Sequence, residues 1–255
     1  MNIEKIHFVI SNTEKAQKSG KALIQRYGQS NVQDADVIVV LGGDGTMLSN
    51  LRDFMHIKKP LYGMNRGSVG FLMNEYHEKK LIERISRAHM EKLHPLRMTA
   101  DSNISGRIEA LAINEVSLFR QSYQAAKIEI WVDDKIRMEE LICDGIMVAT
   151  PAGSTAYNLS AQGPILPLMA PLFALTPVSP FRPRRWHGAL LPNSATVRFN
   201  MLELEKRPVN VAADNVEVKS VSNVIIQSAN DIEATILFDP DHSWEERILS
   251  EQFRY

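Results

Sequence analysis

A run of five apolar residues, Val37 to Leu41, constrains the fold of this chain more than any other feature of its sequence. A short continuous apolar run of this kind is typical of a strand buried on both faces. A strand pattern at Ile6–Ile10 and an amphipathic helix pattern at Glu14–Tyr27 precede it. Strand, helix and strand in succession predict a parallel sheet covered by helices.

The pattern continues with a helix at 46–54, a strand at 61–64 and a charged helix at 78–89, and then changes. From about Leu96 the alternation has mostly period two, and turn signals such as Ser105-Gly106 and Asp133-Asp134 separate the segments. Strands are predicted at 107–119, 127–132, 135–140, 196–201, 209–212, 224–227 and 234–238. We therefore expect an α/β domain at 1–97 and a β-rich domain at 98–240, with the C-terminal segment 241–255, helical at 243–253, packing back on the first domain.

Composition narrows the classes of partner. The 255 residues include 29 Lys and Arg against 30 Asp and Glu, so no global basic field attracts nucleic acid or an anionic membrane. We predict no membrane-spanning segment. The single cysteine, Cys143, excludes an internal disulfide framework and suggests a reducing compartment, so the expected location is the cytoplasm. The seven histidines lack metal-ligand spacing, and no metal site built by protein side chains is expected.

The segment Gly42-Gly43-Asp44-Gly45-Thr46 follows the buried strand directly, where a parallel sheet places its ligands. The glycines allow a phosphate chain to approach the backbone closely, and Thr46 could cap the following helix. An aspartate repels phosphate unless it takes a proton from an attacking hydroxyl or orients a metal, which favours phosphoryl transfer over passive binding. The alternative is a tight turn with a local bond from Asp44.

Further glycines and two polar interruptions extend the candidate site. Gly63, Gly67 and Gly70, followed by Phe71, could line the same crevice or be ordinary loop glycines. Asn114-Glu115 interrupts an apolar run, where burial is costly unless a ligand or a partner satisfies the two side chains. A ribose diol fits this pair, and a hydrogen-bonded pair within the sheet is the alternative. Asp144, beside Gly145, presents the same choice.

Residues 150–157, with the sequence TPAGSTAY, combine a strand end, a proline, a glycine turn and a helix start. Ser154 or Thr155 could cap that helix, and the exposed amides and hydroxyls suit a purine and its sugar. A simple capping turn is the alternative. The cluster Arg182 to Arg185 is either a solvated loop or a clamp for phosphate groups.

These motifs, in this order and spacing from about Val37 to Pro240, resemble those of the bacterial NAD kinases. The first motif alone is also similar to that of lipid and sphingoid-base kinases. The resemblance implies an α/β domain followed by an all-β, sandwich-like domain, with the active site in the cleft between them. It also implies ATP or polyphosphate as phosphate donor, NAD as acceptor, a divalent cation, Mg²⁺, carried by the donor phosphates, and a homodimer or homotetramer.

Carried over by position, Asp44 would accept the proton of the adenosine 2′-hydroxyl of NAD. Asn114 and Glu115 would hold the adenosine, and Asp144 would reach the nicotinamide half. The residues expected to bind NAD are Asp44, Gly45, Phe71, Asn114, Glu115, Asp144, Ala152, Thr155, Ala156, Tyr157, Asn158, Leu159 and Ser160. The residues expected to form the phosphate-donor loop are Gly42, Gly43, Gly45 and Thr46.

Two positions depart from the pattern of the family. Many members have Ser or Thr where this chain has Ala152, so one possible adenine contact is absent, and Asp214-Asn215 replaces the usual Asp-Gly or Asp-His. The competing interpretations are a lipid or sphingoid-base kinase, which would need an apolar cleft, and a catalytically silent NAD(P)-binding regulator. The intact Asp44 argues against the silent regulator.

Overall fold

The structure, a computed structural model, describes residues 3–67, 70–240 and 253, and the chain divides into two compact units. One unit extends to Leu93 and resumes at Ile232, and the other is His94–Asp231. The second unit therefore begins four residues before the predicted start at 98 and ends nine residues before the predicted end at 240. Apart from Phe253, the predicted C-terminal helix at 243–253 lies outside the described residues.

The first unit is a sheet with helices, as the sequence predicts. Its strands are β1 (Ile6–Ile10), β2 (Val37–Gly42), β3 (Leu61–Asn65), β4 (His89–Leu93) and, from the end of the chain, β17 (Ala234–Phe238). Its helices are α1 (Glu14–Tyr27), α2 (Asp44–Phe54) and α3 (Leu81–Arg87), with a 3-10 turn at Met55–Ile57. Within the described residues the strand order is β1-β2-β3-β17-β4, with β1, β2, β3 and β17 parallel. The apolar run in β2 is fully buried, as expected for a strand inside a parallel sheet.

Two predicted elements of this unit are wrong in part. The helix predicted at 78–89 is shorter, because Lys80 before α3 has a left-handed backbone (φ 60°) and Ala88 after it is extended. The residues that follow form β4, which pairs antiparallel with β17. β17 itself, assigned by its pattern to the β-rich part, joins β3 and β4 in the first sheet. A strand pattern gives no information on which sheet a strand joins, because pairing depends on distant residues.

The second unit, all of whose residues are described, contains two six-stranded sheets. One sheet has the order β6-β5-β16-β13-β8-β9 and contains β5 (Leu96–Ser102), β6 (Gly106–Ala112), β8 (Ala126–Val132), β9 (Lys135–Cys143), β13 (Val197–Met201) and β16 (Val221–Ser228). The other has the order β12-β11-β10-β7-β14-β15 and contains β7 (Glu115–Arg120), β10 (Gly145–Ala149), β11 (Leu172–Val178), β12 (Ala189–Pro192), β14 (Val209–Ala213) and β15 (Val216–Val218). A 3-10 turn (Ala152–Thr155) and the short helix α4 (Tyr157–Ser160) follow β10.

One hydrophobic core fills the space between these two sheets, which confirms the predicted sandwich. Val116 and Leu118 of β7 belong to this core. Because side chains alternate along a strand, Glu115 and Phe119 face the other side of their sheet. The run predicted as one strand at 107–119 is in fact two strands, since the chain bends at Ile113 and Asn114.

A helix that crosses a membrane must be both long and apolar. Among the described residues, no helix meets both requirements.

Candidate functional site

The segment after β2 forms the start of α2. Gly43 is the N-cap residue, with extended backbone and no side-chain cap, and Asp44 is the first helical residue. The prediction that Thr46 caps this helix is wrong, because the helix begins two residues earlier. A Cβ on Gly42 would lie 2.5 Å from the Thr46 Oγ1 atom, so the Thr46 side chain packs against Gly42 instead.

Two backbone donors hold the carboxylate of Asp44. Its Oδ2 atom accepts the N–H of Phe71 at 2.7 Å, and its Oδ1 atom accepts the N–H of Leu72 at 2.9 Å. Gly70 makes this approach possible, since a Cβ at that position would lie 2.5 Å from Asp44 Oδ1. Gly70, from the second glycine set, therefore makes room for the Asp44 carboxylate of the first motif. The two backbone bonds give both carboxylate oxygens a fixed direction.

Gly43 and Gly45 leave open space at the helix start. A Cβ built on either would have no heavy atom of the described chain within 4 Å, apart from its chain neighbours and the backbone of its own helix. Backbone N–H groups at the N-terminus of a helix point outward and attract anions. This end of α2 can therefore receive a phosphate group next to the Asp44 carboxylate.

A buried network that no sequence pattern indicates anchors the segment carrying Phe71 and Leu72. Asn74 is fully buried, its Nδ2 donates to Leu237 O at 2.9 Å, and its Oδ1 accepts the N–H of Asp239 at 2.9 Å. The Tyr62 hydroxyl donates to Asp239 Oδ1 at 2.7 Å, and burial, followed by this bond, raises the pKa of Tyr62. Local patterns cannot signal these contacts, because the partners lie more than a hundred residues apart in sequence.

In the second unit, the bend before β7 packs against the segment after β10. Thr150 donates its N–H to Asn114 O at 2.9 Å and its Oγ1 hydroxyl to Ile113 O at 2.6 Å. A Cβ on Gly153 would lie 2.2 Å from Asn114 O, so only glycine allows this contact. The structure thus brings the Asn-Glu pair and the TPAGSTAY segment together.

Glu115 is a mostly buried carboxyl whose bonding the protein leaves incomplete. Its Oε2 atom is buried and has no hydrogen-bond partner among the described residues. Burial, and then the negative charge of Asp214, raise the pKa of Glu115 to about 7. A buried acceptor without a donor is costly, and a ligand that supplies an O–H or N–H group removes that cost.

The TPAGSTAY segment divides into supporting and accessible residues. Ser154 and Asn158 are fully buried: the Ser154 Oγ accepts the N–H of Leu166 at 2.9 Å, and the Asn158 Oδ1 accepts the hydroxyl of Thr176 at 2.6 Å. Neither Ser154 nor Thr155 caps α4, whose N-cap residue is Ala156, so that prediction is wrong. Ala152 is buried, Thr155, Ala156 and Leu159 are half-buried, and Tyr157 and Ser160 are exposed.

Asp144 lies at the opposite end of the same strands from Glu115. β7 and β10 pair Glu115 with Ala149 and Phe119 with Gly145, which places the two acids roughly 13 Å or more apart along the strands. The Asp144 Oδ1 atom accepts the Nε–H of Arg120 at 2.5 Å. Phe119, which pairs with Gly145, lies at the Asp144 end, and its ring centroid is 5.6 Å from that of Tyr157.

The arginine cluster surrounds an exposed aromatic ring. The guanidinium groups of Arg182 and Arg184 lie 5.7 and 4.9 Å from the centre of the Phe181 ring. A cavity of about 270 Å³ lies between Tyr157 and the Trp186-His187 pair, which comes directly after the arginine cluster in the sequence. Cys143 is buried, and burial raises the pKa of its thiol to about 12, which excludes a ready nucleophile.

A metal site built by protein side chains needs several ligands close together. In the described part of the chain, no group of three or more His, Cys, Asp or Glu side chains could hold an ion.

Profiles of two protein families match the chain. The ATP-NAD kinase N-terminal domain matches residues 4–91, and the ATP-NAD kinase C-terminal domain matches residues 113–237. The NAD kinase of Brucella melitensis biotype 1 is 65% identical over 250 residues, covering 98% of this chain and 97% of its own. The NAD kinase of Caulobacter vibrioides is 53% identical over 251 residues, covering 98% and 96%.

Two solved structures share the fold. A yeast NADH kinase complexed with NADH has a TM-score of 0.85 at 19% identity, covering 100% of this chain and 90% of its own. An NAD kinase from Archaeoglobus fulgidus in complex with ATP has a TM-score of 0.78 at 22% identity, covering 97% and 98%. At these identities the likeness concerns the fold alone.

The relatives decide between the competing interpretations. Neither the lipid kinase nor the silent regulator is favoured, because the close relatives above are named NAD kinases over nearly their full length. The chain belongs to the NAD kinase family of phosphotransferases.

Proposed function

We propose that this chain transfers the γ-phosphoryl group of ATP to the 2′-hydroxyl of the adenosine ribose of NAD, with Asp44 as the proton acceptor. The observation that carries the proposal is the pair of backbone bonds from Phe71 and Leu72 to the Asp44 carboxylate. A carboxylate has about four lone-pair sites, so it can accept a hydroxyl proton while both bonds persist. The bonds fix its direction, which matters because phosphoryl transfer depends on positioning.

The donor phosphates are assigned to the start of α2. The open space at Gly43 and Gly45 and the outward N–H groups favour an anion beside Asp44. A divalent cation, Mg²⁺ in our proposal, would be carried by the donor phosphates and would neutralise their charge. The NAD kinase from Archaeoglobus fulgidus was solved in complex with ATP, which is in line with ATP as the donor.

The adenosine of NAD is assigned to Asn114, Glu115 and the accessible part of TPAGSTAY. The buried Oε2 atom of Glu115 requires a donor, and a ribose hydroxyl or an adenine amino group supplies one. Thr155 and Tyr157 present a hydroxyl and a ring at the same segment, whereas buried Asn158 supports it from within. The roles of Asp144 at the nicotinamide half and of Ala152 and Ser160 remain predictions.

A coupled assay of NADP formation tests this proposal. Purified protein is incubated with NAD or NADH and with ATP or polyphosphate, with and without Mg²⁺, and sphingosine serves as an alternative acceptor. We expect NADP from NAD and ATP in the presence of Mg²⁺, and no phosphorylation of sphingosine. Absence of NADP with both donors would contradict the proposal. The cytoplasmic location and the homodimer or homotetramer also remain predictions, the latter tested by light scattering of the same preparation.

A further inference from the structure

Asp214 lies in the two-residue turn that joins β14 to β15, with a left-handed backbone (φ 49°). Asp and Asn tolerate this conformation better than most residues, so the turn alone accounts for the residue type. Its side chain, however, reaches a segment 101 residues earlier in the chain. The turn geometry does not explain that contact.

The Asp214 carboxylate accepts three consecutive backbone N–H groups. Its Oδ2 atom accepts the N–H of Ile113 at 2.7 Å, and its Oδ1 atom accepts those of Asn114 at 3.0 Å and Glu115 at 3.2 Å. In return, the N–H of Asp214 donates to Glu115 O at 3.1 Å. Bonds from N–H groups to a charged acceptor are stronger than bonds between neutral groups.

Thr150 holds two of these three residues through their carbonyl oxygens. Asp214 takes their N–H groups, while Thr150 donates to the carbonyl oxygens of Asn114 and Ile113. These bonds fix the bend between β6 and β7. The N–H groups of Ile113 and Asn114 lie outside both strands, so without Asp214 they would lack the partners that strand pairing provides. The backbone direction at Asn114 and Glu115 determines where both side chains can point.

Asp214 also affects Glu115 through its charge. The strands on either side of β7, which are β10 and β14, contain no titratable side chain, and neither does the Thr150–Ala156 segment. Asp214 is therefore the charged group that faces Glu115 from these elements, and it raises the pKa of Glu115 beyond the effect of burial.

We propose that Asp214 is a positioning residue for NAD binding, whose carboxylate orients Asn114 and Glu115 toward the adenosine through their backbone. This inference rests on the proposed function. It adds a residue that acts through other residues and does not touch the substrate.

The test is the substitution Asp214→Asn, since Asn tolerates the same turn conformation but has only one acceptor oxygen and no charge. We expect the KM for NAD to rise at least tenfold, with kcat and the KM for ATP within threefold of the wild type. We also expect the pH midpoint of the KM for NAD to move to lower pH, because removal of a neighbouring negative charge eases ionisation of Glu115. Simple destabilisation would reduce the active fraction and kcat without moving either KM or the pH midpoint.

The matched control is Asp133→Asn. Asp133 lies in another hairpin turn, has a φ of 51° and accepts one N–H, that of Thr196 at 3.0 Å. We expect this variant to match the wild type in every kinetic constant. If Asp214→Asn does not fold, Asp214→Gly, which keeps the turn, is measured in the same way.

The outcomes separate this inference from the proposed function. A KM for NAD within twofold of the wild type and an unmoved pH midpoint in the Asp214 variant would overturn the positioning role. If Glu115→Gln raises the KM for NAD in the same series, the adenosine assignment survives that failure. If Glu115→Gln leaves it unchanged, the adenosine assignment itself fails.

Discussion

The carboxyl groups of Asp44 and Glu115, one in each unit of the chain, differ in their hydrogen bonding. Both oxygens of Asp44 accept backbone N–H groups of the first unit, whereas the Oε2 atom of Glu115 has no partner among the described residues. The chain thus orients the Asp44 carboxylate through its own backbone and leaves the Glu115 Oε2 atom without a donor among the described residues. A carboxylate with a fixed direction suits a step in the reaction, and one that lacks a donor suits substrate recognition.

The largest expected effect comes from Asp44→Asn. The amide has nearly the same shape but cannot accept the 2′-hydroxyl proton, so kcat should fall by about 10²–10⁴. The affinity for NAD, measured by titration calorimetry, should stay within threefold of the wild type. Turnover within threefold of the wild type would show that Asp44 is a turn or metal residue and remove the contrast with Glu115.

Glu115→Gln should weaken binding and stabilise the fold. Loss of a hydrogen bond to a charged group costs about 1.5–3 kcal/mol, which raises the KM for NAD about 10- to 100-fold. Burial and Asp214 raise the pKa of Glu115 from 4.5 to about 7, so the folded state binds more protons than the unfolded state between these values. The free energy of unfolding therefore falls by up to about 3 kcal/mol between pH 4.5 and 8.

Denaturant titrations across that pH range check the stability part of this prediction. The wild type should lose stability as the pH rises, and Glu115→Gln should lack this component. Equal pH dependence in the two proteins would mean that Glu115 titrates normally in the fold.

Gly153→Ala tests whether the close contact at Asn114 carries the second site. The added Cβ would lie 2.2 Å from Asn114 O, a backbone atom, so we expect a loss of about 1–3 kcal/mol and weaker NAD binding. Gly45→Ala is the control for stability, since Gly45 has open space within α2 and alanine favours helices. Thermal unfolding of both variants checks the contrast, and equal midpoints would contradict it.

Thr155→Ala should have the smallest effect. Its hydroxyl makes no hydrogen bond in the part of the chain that the structure describes, so its loss costs the fold little. Loss of one neutral bond to adenosine is worth about 0.5–1.5 kcal/mol, which raises the KM for NAD about two- to tenfold. Thr155→Ser should restore the wild-type value, and an unchanged KM in Thr155→Ala would make this segment a structural turn only.

The sequence predicted what local patterns determine. The apolar run in β2, the helix α1 and the β-rich nature of the second domain were evident because periodicity reflects burial on one or both faces, whereas the sandwich was implied by the family resemblance. The glycine motifs indicated where the backbone closely approaches a ligand or a neighbouring segment. The patterns could not show that Gly70 serves Asp44 or that Gly153 serves Asn114.

Long-range hydrogen bonds account for what the sequence did not predict. Asp214 bonds to residues about a hundred positions away, and Asn74 bonds to β17 across 163 positions. Because the bonding partners are distant in sequence, reasoning from the sequence noted Asp214-Asn215 only as a departure from the family pattern and placed β17 in the wrong sheet.

Proton release on NAD binding tests the contrast between the hydrogen-bonded Asp44 carboxylate and the incompletely bonded Glu115 carboxyl. Calorimetric titrations with NAD at pH 7, in buffers of different ionisation enthalpy, count the protons released. With a Glu115 pKa of about 7, ionisation on binding should release about half a proton in the wild type and in Asp44→Asn, and none in Glu115→Gln. Equal proton release by Glu115→Gln and the wild type would show that Glu115 is not the group that ionises when NAD binds.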